Sequence, residues 1–391
     1  MEKINLTMKE QKRIDVMQRV FRGELSMIQS AQVLGVSERQ AYRIKNKIQK
    51  KGVKGAVHGN RGRQCGWKVT EEVVQQVVKL REGKYAGFND THFTEKLASA
   101  EKIIVSREKV RRILRQMGIA TPRRRRNGKY RKRREPSASE GLMLQTDGSH
   151  HDWLEGRGPR LCLIGAIDDA TRKVPSALFR ETETTESYFG VFEETFRKKG
   201  LCHSVYADRH SIFYTDRELT IPEELAGQRK PMTELGRAFD ELGIVLIPAG
   251  SPQAKGRIER LWGTFQDRLV SELRLAKASN MAEAQAVLDR FVPEYNRRFG
   301  IKPAKGASAW RKLPAGLDLK RVLCWKRKRV VARDNTISFE GITLQLPKTK
   351  PWYSLAGKTV AVFILRDKTV EVFYQAVKVA VFTGLELPVA A

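Results

Sequence analysis

Cysteine is scarce. The 391 residues hold four (Cys65, Cys162, Cys202 and Cys324), with no CxxC and no histidine pair at finger spacing. A disulfide framework and a finger-type zinc site are therefore not expected, and a reducing compartment is the default. Long apolar runs are missing too. None approaches the roughly 18 residues that a membrane span needs, and Met1–Glu10 lacks a signal-peptide pattern, so no membrane partner is expected. Nothing resembles a Ser-His-Asp or Cys-His arrangement, so a nucleophilic side chain is not the expected chemistry. Acidic residues are also in short supply: 44 against 74 Lys and Arg, a net +30. An excess of this size points to a polyanion, most naturally nucleic acid. The 41% hydrophobic and 30% charged fractions describe a folded chain long enough for two to four domains.

The charge is unevenly spread. Residues 1–140 carry 35 basic and 14 acidic side chains, a net +21. Residues 141–300 carry 22 and 24, a net −2, and residues 301–391 carry 17 and 6, a net +11. Basic arms thus flank a near-neutral centre. That is the pattern of an enzyme core delivered to DNA by basic modules, and coating alone would not require it.

The first arm reads as a helix-turn-helix domain over residues 1–51. Residues 8–22 have helical spacing, a short helix covers about Ser26–Leu34, and Gly35 can adopt the positive φ of a tight turn. Ser37 and Gln40 form a capping box for a helix over about Glu38–Lys50. Ala41, Ile44 and Ile48 line one side of that helix. Arg39, Arg43, Lys45 and Lys47 lie on the other, as on a helix that enters a major groove. The plainer alternative is a three-helix domain with a solvated basic face. A linker over Gly52–Gly66 precedes a second such domain at residues 67–120. There Thr70, Asp90 and Ser106 can cap three helices, and the last, Arg107–Met117, places Val110, Ile113, Leu114 and Met117 inward. Arg107, Lys109, Arg111, Arg112 and Arg115 are left outward. Residues 121–140 form a basic linker. Nine of the fourteen residues from Pro122 to Glu135 are basic, among them Arg123, Arg124, Arg125, Arg126, Arg131 and Lys132. Such a run repels itself when free and can order on phosphates.

From Leu142 the pattern becomes β. Leu142–Thr146 reads as a strand ending at Asp147, Leu161–Ile167 as a second and Val174–Phe179 as a third. A helix over Thr184–Lys199 leads to the strand Ser204–Ala207, which ends at Asp208. A helix near Thr233–Leu242, a strand at Ile244–Ile247 and a long helix from about Gln253 containing Glu259 follow. This is the element order of an RNase H-like fold, assigned to residues 141–300. In that topology two carboxylates that end strands and one on the first turns of a helix converge at one sheet edge. Three clustered carboxylates repel unless divalent cations compensate them, and their hard oxygens suit two Mg²⁺ or Mn²⁺ ions about 3.5–4 Å apart. Such a pair activates a water or 3′-hydroxyl and stabilises the leaving oxygen in an in-line displacement at phosphorus.

The motifs Gln145-Thr146-Asp147, Ala166-Ile167-Asp168-Asp169-Ala170-Thr171-Arg172, Tyr206-Ala207-Asp208 and Ser251-Pro252-Gln253-Ala254-Lys255-Gly256-Arg257-Ile258-Glu259-Arg260 resemble the DDE transposase and retroviral-integrase superfamily. With its helical front and length, the chain is most similar to bacterial insertion-sequence transposases of the ISNCY group. The resemblance implies a catalytic and metal-binding triad of Asp147, Asp208 and Glu259. It further implies cleavage at an element's terminal inverted repeats, joining of the 3′-hydroxyl ends to target DNA, and a homodimer or higher oligomer on DNA. A bacterial cytoplasmic, nucleoid-associated protein is the matching location. Two features depart from the pattern. Asp208-Arg209-His210 replaces the frequent Asp-x-Gly, and Asp208 is separated from Glu259 by a longer span, with an insertion near Tyr214–Met232. A nuclease that cuts without joining, and a DNA-binding regulator on a decayed core, are the alternatives.

Asp168 and Asp169 sit at a hairpin and read as structural. Asp152 and Glu155 fall in a loop and rank below Asp147; His150, His151 and His210 are polar loop histidines. Lys255 lies one helical turn before Glu259. It can either hold a DNA phosphate or make an i,i+4 ion pair, and Arg257 is a weaker phosphate candidate. Trp262, Phe265 and Leu269 are expected in the core. Beyond Gly316, strands at Lys328–Ala332, Thr336–Phe339, Ile342–Leu346, Thr359–Leu365 and Thr369–Tyr374 suggest a small SH3-like β-barrel over residues 316–391, with Lys326–Arg329 as a basic patch. The whole is a multidomain α+β protein.

One expectation concerns the linker. Replacing Arg123–Arg126 with alanine should weaken DNA binding and flatten its salt dependence, each lost phosphate contact lowering the slope by about 0.9. Filter or fluorescence binding across a salt series checks this, and an unchanged slope leaves the run as a bare tether.

Overall fold

A computed structural model describes residues 5–61, 69–122, 134–225, 231–250, 255–348 and 350–385. The expectations for Arg123–Arg126, Arg131 and Lys132 lie outside them. The chain divides into two compact units, Met1–Val74 and Gln75–Ala391.

In the first unit, α1 (Met8–Phe21), α2 (Met27–Leu34) and α3 (Glu38–Lys51) enclose Ile14, Met17, Ala31, Ala41, Ile44 and Ile48. Thr7 and Ser26 close full capping boxes with Glu10 and Gln29. Ser37 makes only its half, accepting from the Gln40 N–H. Gly35 ends α2 with φ 63°, the left-handed conformation that lets the chain turn sharply into α3. Arg39, Arg43 and Lys47 are exposed on α3, while Lys45 lies over the Phe21 ring.

The helix α4 (Glu71–Glu82) begins at the border and is followed by α5 (Asp90–Ser99) and α6 (Arg107–Gln116). Asn89, in place of Asp90, caps α5; Asp90 instead pairs with Arg115 across to α6 at 2.5 Å. Met117, expected inward, is 57% exposed because α6 stops at Gln116 and the chain reverses at Gly118. Arg107, Arg111 and Arg112 are exposed and Lys109 half-buried, with Arg111 and Arg112 paired to Glu108.

The central sheet contains β1 (Met143–His151), β2 (Leu161–Asp168), β3 (Ser176–Arg180), β4 (Ser204–Ala207) and β5 (Val245–Pro248), in the order β3-β2-β1-β4-β5. The first three strands are antiparallel, and β4 and β5 run parallel to β1. The helices α7 (Thr185–Lys199), α8 (Ile221–Leu225), α9 (Glu234–Glu241), α10 (Gly256–Leu275) and α11 (Met281–Phe299) complete the expected order, with α8 an addition. One face of the sheet packs Leu144, Ile164 and Val205 against Phe189, Phe192, Phe196 and Phe239 of α7 and α9. The other packs Leu163, Ile167 and Phe179 against Trp262, Phe265 and Leu269 of α10 and against α11. Alternation along β2 explains the two cores: residues 162, 164 and 166 serve one and 161, 163 and 167 the other.

The C-terminal region has α12 (Leu319–Val322), β6 (Trp325–Val330), β7 (Thr336–Phe339), β8 (Ile342–Gln345), β9 (Thr359–Ile364), β10 (Val370–Tyr374) and β11 (Val377–Phe382). They form a sheet β11-β10-β9-β6 and a hairpin β7-β8 around one core. The strand β11 was not expected. Its turn, Gln375-Ala376, takes positive φ at both residues without the Gly or Asn that signals such a turn. Among the described residues no helix is long and apolar enough to cross a membrane.

Phe265 is fully buried and meets Trp262, Phe291 and Tyr295 edge-on. Phe265→Ala should cost about 3–5 kcal/mol of unfolding free energy, measured by urea denaturation. A loss below about 1 kcal/mol would contradict this packing.

Candidate active site

The strand β1 was expected to stop at Asp147. It continues to His151 because β2 keeps pairing with it, from Leu144 opposite Asp168 to His151 opposite Leu161. On the other side β4 pairs only from Met143 to Gln145, opposite Tyr206. Asp147 therefore stands just past the last parallel pair, level with Asp208 at the end of β4. Parallel pairing is what makes two residues distant in sequence neighbours at one sheet edge.

Lys255 lies between them. Its Nζ donates to Asp147 Oδ1 at 2.8 Å and to Asp208 Oδ2 at 3.1 Å. Burial works against its charge, yet the two carboxylates outweigh burial and hold its pKa above the ordinary lysine value. Burial also pushes the Asp147 carboxyl up, Lys255 pulls it down, and the charges of Asp208 and Glu183 push it up again. The remaining oxygen of Asp208 accepts from the His210 backbone N–H at 3.0 Å, so the departure from Asp-x-Gly still leaves a backbone donor two residues on. The ammonium goes neither to Glu259 nor to solvent. The reason is that α10 starts at Gly256, which makes Lys255 its N-terminal flanking residue. Glu259 is exposed in the first turn of α10, with no ion pair to any described residue. Asp147, Asp208 and Lys255 are thus brought together, and Glu259 follows on the helix that Lys255 opens.

That helix is fixed from behind. Asp169 is fully buried, and its carboxylate takes Ser137 N at 2.7 Å, Gln145 Nε2 at 3.0 Å and Arg257 Nη1 at 2.7 Å, together with Arg134. Gln145 Oε1 accepts from Ile258 N at 3.3 Å. Arg257, considered above for phosphate, is turned inward with an 11% exposed side chain, and burial lowers its pKa against the pull of Asp169. Asp168 accepts from Gly141 N at 2.8 Å and Thr171 N at 2.7 Å; burial raises its pKa. Both aspartates are structural, as expected. Glu155 is committed to Arg274 and Arg157.

A further carboxylate, Glu183, was not anticipated. It follows β3, and its carboxylate lies 2.5 Å from where a Cβ on Gly148 would stand, so a side chain there would have to displace Glu183. The hydroxyl of buried Tyr188 donates to it. The Tyr188 pKa is held well above its ordinary value by burial and by the Glu183 charge, so it stays a donor. The sequence signal was Asp147-Gly148 itself, a glycine inside a strand, which often marks the close approach of another group. In the C-terminal region, Lys326 and Arg327 of the expected basic patch pair with Glu241 and Glu234, and Lys328 is exposed.

Two carboxylates converging on a cationic group at a sheet edge suit a divalent ion. In the metal-free chain the Lys255 ammonium supplies the positive charge between them. Residues 241–298 match the family described as Integrase core domain. Over 370 residues the chain is 34% identical to "Putative transposase y4bF" of Sinorhizobium fredii (strain NBRC 101917 / NGR234), covering 94% of this chain and 79% of that protein. It is 29% identical over 375 residues to "Transposase for insertion sequence IS1202" of Streptococcus pneumoniae, covering 85% and 77%. Solved structures overlap only loosely. The HTLV-2 integrase catalytic core domain in complex with magnesium (dimeric form) matches at 16% identity over 38% of this chain and 85% of that one, TM-score 0.28. A chain of the simian T-cell lymphotropic virus intasome in complex with PP2A regulatory subunit B56 gamma matches at 12% over 79% and 100%, TM-score 0.35. The fold is a mixed α/β one with an integrase-type catalytic core. The chain belongs to the DDE transposase and integrase superfamily, and the relatives that match it along most of its length are bacterial transposases.

Lys255→Met should destabilise the metal-free protein by about 1–3 kcal/mol at neutral pH, since a buried carboxylate loses its charged partner. Without Lys255 the raised pKa of Asp147 rises further. Stability linked to a raised carboxyl is present below the ordinary carboxylate range and lost as pH rises through the folded value. The deficit should therefore shrink as pH falls below that range. Thermal melts across pH check this, and a pH-independent deficit would contradict it.

Proposed function

We propose that the chain is a DNA transposase that cleaves at the ends of an insertion sequence and joins the freed 3′-hydroxyls to target DNA. The observation that carries the reading is the pair Asp147 and Asp208, set level on parallel strands and sharing one cationic partner, Lys255. Glu259 in the first turn of α10 supplies the third carboxylate. These three would hold Mg²⁺ or Mn²⁺. When bound, the ions supply charge that activates a hydroxyl nucleophile and steadies the leaving oxygen.

The protein's own residues do the positioning. Asp169, Arg257 and Gln145 fix the first turn of α10, so Glu259 is presented at a defined place. Lys255 neutralises the two aspartates in the metal-free chain. Its ammonium would also be a partner for a DNA phosphate at the edge of the site. Helix α3 offers Arg39, Arg43 and Lys47, and α6 offers Arg107, Lys109, Arg111 and Arg112, as the faces of two helix-turn-helix domains that grip terminal inverted repeats. The C-terminal sheets act as a small SH3-like barrel, and a dimer or larger assembly brings two ends together.

Asp147→Asn, Asp208→Asn and Glu259→Gln should each abolish strand cleavage and joining while leaving end binding nearly intact. The assay incubates the chain with Mg²⁺, labelled element ends and a plasmid target. Joined product supports the transposase, cuts alone indicate a nuclease, and neither indicates a regulator. Full activity in any one variant removes that residue from the triad.

A further inference from the structure

On the face of β1 opposite Asp147, three side chains of different chemistry meet. His150 and Cys162 are directly opposed across the antiparallel β1–β2 pair, and Glu183 arrives from the connection between β3 and α7. His150 Nε2 lies 3.7 Å from Cys162 Sγ and 3.4 Å from Glu183 Oε2, and one ligand atom from each lies within 4.8 Å of the others. Zinc bonds of about 2.3 Å to sulfur and 2.0–2.1 Å to nitrogen and oxygen, at tetrahedral angles, put sulfur and nitrogen about 3.5 Å apart and nitrogen and oxygen about 3.3 Å apart. Both observed separations lie within about 0.2 Å of these edges.

The surroundings favour a ligand role for Glu183. Tyr188 engages Oε1, which orients the carboxylate and leaves Oε2 facing the histidine. His150 is exposed, giving an entry path and room for a water as fourth ligand, whereas Cys162 is buried and shielded from other reactions. A nitrogen, sulfur and oxygen set does not suit Mg²⁺, which prefers oxygen alone. None of this shows as a spacing motif, because the three residues come from separate elements.

We propose that His150, Cys162 and Glu183 form a second metal site, selective for Zn²⁺ or a similar borderline-soft divalent ion and distinct from the Asp147–Asp208–Glu259 carboxylates. Occupied, it pins β1, β2 and the start of α7 together. Because the Glu183 carboxylate packs on Gly148, the pin acts directly beside Asp147.

The test titrates Co²⁺ into the full chain carrying Asp147→Asn, Asp208→Asn and Glu259→Gln, so that the carboxylate site does not compete. One equivalent should produce a near-ultraviolet sulfur-to-cobalt charge-transfer band. Zn²⁺ should displace it, and excess Mg²⁺ should not. Adding Cys162→Ser should remove the band, and His150→Ala, at an exposed position that the fold does not need, should weaken Co²⁺ binding at least tenfold. No band, a band that survives Cys162→Ser, or unchanged affinity in His150→Ala overturns the proposal. Because the triad is silenced throughout, the result stands apart from the test of transposition.

Discussion

Two ionised carboxylates side by side at a half-buried sheet edge repel each other unless a positive charge lies between them. Asp147 and Asp208 are brought together by parallel pairing of β1 with β4, and burial makes Asp147 harder to ionise. In the metal-free chain Lys255 answers this constraint, and much of the nearby architecture exists to deliver Lys255 and the helix behind it. Asp169 is the anchor: it gathers Arg134, Ser137, Gln145 and Arg257, and Gln145 passes the contact on to Ile258. The Asp-Asp dipeptide at the β2 hairpin is therefore more than a turn. It sets where the acid-bearing helix begins.

The near-neutral charge of residues 141–300 takes on a local meaning. Acids there are not surplus solubilising groups; many are counter-ions for cations from elsewhere in the second unit. Glu193 holds Arg366, and Glu234 and Glu241 hold Arg327 and Lys326. Part of the apparent basicity of the C-terminal region is thus consumed by docking that region onto α7 and α9.

What could be read in the sequence was what depends on neighbours along the chain. The order of strands and helices, Asp147 and Asp208 at apolar strands, and Trp262, Phe265 and Leu269 as core residues all follow from local patterning. What escaped depends on contacts across the sheet or on unusual backbone. Glu183 looks like an ordinary acid before a helix until Gly148 and Tyr188 are seen beside it. Lys255 was placed inside the helix, facing Glu259, and shifting the helix start to Gly256 redirects it to Asp147 and Asp208. Strand β11 was missed because Gln375 and Ala376 make its turn without the customary residues.

The second helical group is tied by ion pairs to α10. His92 and Lys96 of α5 share Glu272 of α10, at 2.7 and 2.8 Å, and hold its carboxyl below the ordinary range although burial would raise it. Glu95 pairs with Arg268 at 2.6 Å, and Asp90 joins α5 to α6 through Arg115. These links tie α5 and α6 to the C-terminal half of α10, and the continuous helix connects that half to Glu259 in its first turn. A duplex seated on α6 would meet the carboxylates at a fixed number of base pairs from the contact. Under the proposed function this arrangement would act as a ruler: lengthening or shortening a terminal repeat by half a helical turn would present the wrong face of the duplex to the site, even with every recognised base still in place.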